Sequence, residues 1–258
     1  MHQYWAFGLY IHSEIEFPEL YLATSEDADV IILYGDVPQE LIKAAKVVRK
    51  HLQLNDQEFL LSRDDAGRYY ASNGNKIVVS PLQGAHPRSI RLYVLATVMA
   101  AILHQRKKIP YHASAILFNN EIVLFAGQSK AGKSTLLSGL MKRGYRVFSD
   151  DIVVLSEEEN NIFATASYPM IKLWEETILH LNDDRFADKS FAVAPDMNKY
   201  GIFFHKDFDR GTYPIKKIIL LALHEASDYT VTTLQGADAF LSYRKKCTAP
   251  IYCKGQTC

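Results

Sequence analysis

The chain has 258 residues, with 29 Lys and Arg against 29 Asp and Glu, so its formal net charge is zero; 48% of it is hydrophobic and 22% charged. This is the composition of a globular chain long enough for one large or two small domains. It lacks the basic excess of a nucleic-acid-binding surface, any apolar run long enough to span a membrane and a basic-then-apolar secretory signal, so a cytoplasmic protein without nucleic-acid or membrane partners is expected.

In chain order, residues 1–85 read as a small β-rich unit. Tyr4 to His12 is an aromatic and aliphatic strand, and Val30 to Tyr34 a second one stopped by Gly35. Asp64-Asp65-Ala66-Gly67 and Asn73-Gly74-Asn75 are hairpin signals between strands over 57–63, 68–72 and 77–79. No catalytic set gathers in this unit, which reads as a scaffold or recognition module. Gly84 to Pro87 forms a boundary, after which Ser89 to Gln105 is apolar around most of its girth, as in a buried helix. Residues 86–246 form the second unit and 247–258 an irregular tail. The tail holds all three cysteines, Cys247, Cys253 and Cys258. That odd count without a nearby histidine argues against a disulfide framework and a zinc site.

Tyr111 to Phe118 and Glu121 to Ala126 read as a hairpin turned at Asn119-Asn120. The second strand runs into Gly127-Gln128-Ser129-Lys130-Ala131-Gly132-Lys133-Ser134, a full match to G-x-x-x-x-G-K-[ST]. The apolar residues Leu136, Leu137, Leu140 and Met141 behind it have helical spacing. A strand, a glycine-rich loop and a helix start are the context that makes the motif a phosphate cradle. Its backbone from Gly127 to Thr135 is expected to bind a nucleotide. Lys133 reaches the β and γ phosphates, and the Ser134 hydroxyl holds Mg²⁺. Ser129 can add a hydroxyl, and Lys130 is expected to face solvent.

Tyr145 to Phe148 is a strand ending at Ser149-Asp150-Asp151, and by the short spacing from the loop it is expected close to the loop's own strand. Carboxylates at the C-terminal end of such a strand lie where ligands bind in open α/β sheets. Strands over 152–155 and 162–166, an extended 171–174, a short helix over 175–181, strands over 200–204, 216–223 and 230–234, and a helix from 237 follow. Trp174 is expected in the core, while Lys172 and Lys199 are candidate contacts to phosphate or acceptor. Asn198-Lys199-Tyr200-Gly201 lacks the aspartate that reads guanine, which argues against a switch GTPase.

The phosphate loop, His112 fifteen positions before Gly127, and the Asp pair seventeen positions after Lys133 resemble the catalytic domain of HPr kinase/phosphorylase. The stretches Ala6-Phe7-Gly8-Leu9, Phe17-Pro18-Glu19-Leu20, Leu103-His104-Gln105-Arg106, His112-Ala113-Ser114-Ala115 and Ile171-Lys172-Leu173-Trp174 resemble the branch found in lasso-peptide biosynthesis. The resemblance implies an α/β fold with a phosphate-loop, HPr-kinase-like (PEP carboxykinase-like) C-terminal domain behind a small β-rich N-terminal domain. It implies an ATP- and Mg²⁺-dependent kinase acting on a Ser/Thr-type hydroxyl of a peptide or protein, and assembly into homo-oligomers. By position, Asp150 matches the catalytic base, Asp151 the metal-side carboxylate beside Ser134, and His112 the histidine that orients the aspartate. The glycine-rich segment with a metal-binding Glu found in the bifunctional enzymes has no counterpart here, Glu175 and Glu176 being the nearest substitutes. A nucleotide-dependent binding module without phosphoryl transfer, and a kinase of a small-molecule hydroxyl, are the alternatives from the residues alone.

Overall fold

The structure, a computed structural model, describes residues 1–195, 197–222 and 230–235. The expected helix from 237 and the cysteine tail lie outside them. The architecture is mixed α/β, built on two large sheets and one small one.

The N-terminal sheet contains β1 (His2–Ala6), β2 (Leu9–Ser13), β3 (Tyr21–Leu22), β4 (Val30–Tyr34), β5 (Val47–Arg49), β6 (Leu52–Leu54), β7 (Glu58–Arg63), β8 (Gly67–Ser72) and β9 (Lys76–Pro81), in the order β3-β1-β2-β4-β9-β8-β7-β6-β5. The single strand expected over Tyr4 to His12 is a hairpin. Phe7 and Gly8 both have positive φ, 58° and 76°, and reverse the chain between Ala6 and Leu9. A phenylalanine in that conformation is rare, so the turn had no strong sequence signal.

The helical stretch after the boundary is α1 (Pro87–Tyr93), a π-turn over Val94–Val98 and α2 (Met99–Gln105). Its buried residues share one core with the N-terminal sheet and with Ile152, Val154, Tyr168 and Met170. The chain continues through β10 (Ile109–Tyr111), β11 (Ala113–Phe118), β12 (Glu121–Gly127), α3 (Lys133–Lys142), β13 (Arg146–Ser149), β14 (Val153–Glu158), β15 (Asn161–Ala166), β16 (Met170–Trp174), α4 (Glu175–Leu181), β17 (Lys199–Phe203) and β18 (Thr212–Leu221). The second sheet runs β10-β14-β15-β18-β12-β11-β13, and β16 pairs with β17 alone.

The β11–β12 hairpin forms as expected, with φ of 51° and 59° at Asn119 and Asn120. The strand that ends at the Asp pair, β13, is one strand removed from β12, because β11 lies between them. On its other side β12 pairs in parallel with β18. That strand starts at Thr212, ahead of the expected start at 216, and residues 230–235, where the sequence predicts a strand over 230–234, have no regular structure. Among the described residues, no helix is long and apolar enough to cross a membrane.

Candidate active site around the phosphate loop

Gly127 ends β12 against β18, where an added Cβ would lie 2.7 Å from the Leu221 carbonyl oxygen and 3.1 Å from the Ala131 Cβ. The close backbone approach requires glycine. Gly132 is required for its conformation rather than for space: it starts α3 at φ 89°, and a Cβ added there would meet no heavy atom within 4 Å. No side chain caps α3, and an uncapped helix N-terminus is a ready anion site. The Lys133 Nζ donates to the carbonyls of Gly127 at 3.1 Å and Gln128 at 3.0 Å, at the throat of the loop. The Thr135 hydroxyl lies 3.4 Å from that of Thr177, outside the cradle.

Asp150 and Asp151 leave the end of β13 in different directions. Asp151 is left-handed, φ 70°, a conformation uncommon for a residue other than glycine. Hydrogen bonds pin the turn from both ends: the Ile152 N–H donates to the Asp150 carbonyl at 2.8 Å, and the Ser149 hydroxyl to the Ile152 carbonyl at 2.7 Å. Such strain persists where the surroundings over-determine it, and it clusters at functional sites.

Asp150 is 1% exposed. Its Oδ1 accepts from the Ser114 hydroxyl at 2.6 Å, both carboxylate oxygens lie 3.1 Å from the Ser134 hydroxyl, and Oδ2 accepts from the Lys172 N–H at 3.0 Å. Three elements thus converge on one carboxylate: β11 through Ser114, the first turn of α3 through Ser134, and β16 through its backbone. The resemblance paired Ser134 with Asp151; in the structure the Ser134 hydroxyl meets Asp150.

Asp151 is more open, with 24% of its side chain exposed. Its Oδ2 lies 2.6 Å from the Lys172 ammonium and its Oδ1 3.3 Å from His112 Nδ1. His112 Nδ1 also lies 2.7 Å from the Asp151 carbonyl oxygen. A carbonyl can only accept, so Nδ1 carries the proton and Nε2 occupies the opposite ring edge. Burial would raise the Asp151 pKa, but the Lys172 ammonium and His112 outweigh it and hold the carboxyl well below its usual range. For Lys172 burial works downward, and Asp151 reverses it, so the ammonium stays charged with its pKa raised. The neighbouring Tyr168 hydroxyl is pushed up to about 12, chiefly by burial, against the opposing charge of Lys172.

The Lys172 side chain, 6% exposed, is therefore committed to Asp151 rather than presented to an incoming phosphate or acceptor. Lys199 stands at the start of β17 beside Trp174, which is half-buried at the end of β16 rather than in the core. Lys130 is exposed, as expected. Glu175, in the first turn of α4, pairs with Lys189 at 2.8 Å. Sequence reasoning missed Ser114 as a site residue; its signal was its place two residues after His112 within the strand expected over Tyr111 to Phe118. A cavity of about 430 Å³ lined by His51, Ser62, Arg63, Asp64 and Asp65 lies on the N-terminal sheet and contains none of these residues.

A divalent cation fits the donor set. The Ser134 hydroxyl and Asp150 carboxylate are hard oxygen ligands, as Mg²⁺ takes, and Mg²⁺ at phosphates draws on one or two carboxylates plus the phosphates themselves. Among the described residues no group of three or more His, Cys, Asp or Glu side chains could hold a metal ion unaided.

No family model and no curated protein matches the chain. Among solved structures it is similar to the Hpr(Ser) kinase/phosphatase from Coxiella burnetii, at 18% identity and a TM-score of 0.30 over 46% of this chain. The match spans 65% of that protein's chain, under two thirds of its length.

Proposed function

We propose that this protein is an ATP-dependent phosphotransferase that delivers the γ-phosphoryl group to a serine- or threonine-type hydroxyl of a peptide or protein, a ribosomally made precursor peptide being the acceptor that the sequence resemblance suggests. One observation supports the reading above others: the serine of the phosphate loop, Ser134, shares a buried carboxylate, Asp150, with Ser114, while the next residue, Asp151, faces His112 and Lys172.

In this proposal the roles that the resemblance assigns to the two aspartates are exchanged. Asp150, buried and already accepting from three donors, is the metal-side carboxylate with Ser134. Bound there, Mg²⁺ would neutralise charge on the β and γ phosphates. Asp151, partly open and ionised, receives the acceptor hydroxyl. A carboxylate held at low pKa is a weak proton acceptor, so its contribution is mainly to orient the hydroxyl for in-line attack. That suits a loose transition state, in which little proton transfer has occurred when the phosphoryl group moves. The proton leaves the hydroxyl for the Asp151 carboxylate late in the step. Lys172 locks Asp151 in place, and His112 fixes its other oxygen and backbone carbonyl. Lys133 exchanges its contacts to the loop carbonyls for the phosphate oxygens, and the amides of Ser134 and Thr135 stabilise charge on the migrating group.

The test is transfer from [γ-³²P]ATP and Mg²⁺ to a library of serine- and threonine-containing peptides, with wild-type protein and Asp151→Asn. The expected result is labelled peptide with wild type and at least a ~100-fold lower rate with the variant. No labelled peptide with wild type, or equal rates for both, rejects the proposal.

A further inference from the structure

Trp174 and Lys199 are direct cross-strand partners at the end of the β16–β17 pair from which the chain leaves for α4. The Lys199 ammonium lies 5.5 Å from the indole centre, and the Lys130 ammonium, arriving from the phosphate loop, lies 5.9 Å from it. Both are cation–π distances. Among the described residues no carboxylate pairs with either lysine, whereas Lys172 and Lys189 nearby are matched to Asp151 and Glu175. Two ammonium groups gathered on one half-buried ring without a carboxylate partner make a positive patch, which an incoming anion neutralises.

The position of this cluster says which anion. Side chains alternate along a strand, so Trp174 projects from the same face of β16 as Lys172. The Lys172 side chain reaches Asp151, while only its backbone N–H reaches Asp150. The indole therefore continues the face that leads to the carboxylate assigned to the acceptor hydroxyl. A nucleobase stacking there would have to displace two cations from the ring.

We propose that Lys130, Trp174 and Lys199 form an acceptor platform that binds acidic side chains flanking the target hydroxyl. This rests on the reading of the site as a phosphotransferase. The substrate class is thus an acidic peptide segment, and a basic flank is rejected by charge. Lys130 couples the two substrates, because it belongs to the loop that holds the phosphates and touches the ring that holds the acceptor.

The experiment uses the full chain and two peptides, acetyl-Glu-Glu-Ser-Glu-Glu-amide and acetyl-Lys-Lys-Ser-Lys-Lys-amide, titrated against intrinsic fluorescence. Of the two tryptophans, Trp5 is 7% exposed in the core, so Trp174 carries the response. Wild type is expected to bind the acidic peptide about tenfold tighter than the basic one. Lys199→Glu is expected to lower acidic-peptide affinity about tenfold and to leave affinity for a fluorescent N-methylanthraniloyl-ATP within about twofold. Lys130→Ala, at an exposed loop position where misfolding is not a concern, is expected to weaken the acidic peptide about threefold or more. Equal binding of the two peptides overturns the proposal. So does a loss of nucleotide affinity in Lys199→Glu as large as the loss for the acidic peptide, which makes the platform a nucleotide subsite. Charge-selective binding without phosphoryl transfer supports the platform and rejects the kinase reading, so the two fail separately.

Discussion

Asp150 and Asp151 are chain neighbours with different partners because one residue is left-handed. The φ of 70° at Asp151 turns its carboxylate toward His112 and Lys172, while Asp150 stays beneath the phosphate loop. Replacement at the two positions is therefore expected to separate kinetically. Asp150→Asn raises the Mg²⁺ concentration needed for half-maximal rate; Asp151→Asn lowers kcat with little change in nucleotide KM. Identical effects on both parameters would reject the division of roles. Lys172→Met leaves the Asp151 charge without its nearest counter-charge in a largely buried setting, and is expected to cost about 3 kcal/mol of stability at pH 7, read by urea denaturation. The sign with pH follows from the lowered Asp151 pKa: the pair's stabilisation is present above the ordinary carboxylate range and is lost on acidification. The penalty of Lys172→Met should therefore shrink below about pH 4, the ordinary carboxylate value.

At the scale of elements, the segment between β4 and β5 is held by Arg68, which donates to the Val37 and Pro38 carbonyls, and by one buried acid. Glu58, at the start of β7 and 4% exposed, accepts from the Tyr70 hydroxyl and from Asn55 Nδ2 at 2.9 Å, and also from the backbone amides of Ile42 at 3.0 Å and Lys43 at 2.9 Å. Burial raises its pKa, but these donors outweigh burial and bring it to about 2. A lowered pKa means stability that is present above the unfolded value and lost as pH falls toward the folded one. Wild type is thus expected to lose stability between about pH 4.5 and 2 in part through Glu58, and Glu58→Gln to show a shallower slope in that window, measured by chemical denaturation at each pH. An unchanged slope would mean that other carboxylates govern the acid limb.

Across the whole molecule, the first hairpin ties the two large sheets together and a buried ion pair fixes the helical stretch to the N-terminal unit. β1 sends Trp5 into the core of the second sheet and the β1–β2 turn sends Phe7 into the core of the N-terminal sheet. The Phe7 N–H donates to the Ser167 carbonyl at 2.8 Å, and its ring meets Tyr168 edge-on at 5.6 Å. Arg91 of α1 pairs with Glu19 at 2.8 Å, with side chains only 11% and 6% exposed. Breaking that pair strands a buried charge, so Arg91→Met is expected to cost about 3 kcal/mol, while Arg91→Met with Glu19→Leu recovers most of it. The shared cores predict coincident denaturation curves by far-ultraviolet circular dichroism and tryptophan fluorescence. Separate transitions would show that the sheets unfold independently.

What the sequence determined by itself is local. The Asn119-Asn120 hairpin, the strand–loop–helix around Gly127 to Ser134, and the Asp pair at the end of a strand each follow from turn chemistry and from periods of two or 3.6 residues, which act over a few neighbours. The candidate site is legible at that range, because the glycine-rich loop is made of consecutive residues. The tertiary structure alone decided that β18, some ninety residues on, lies parallel to β12, because many apolar strands match one another equally well and only the packed whole selects a pairing. It also decided that Ser134 meets Asp150 rather than Asp151, and that Lys172 closes on Asp151. Those contacts depend on one backbone angle and on where distant strands end, and no short-range pattern encodes either.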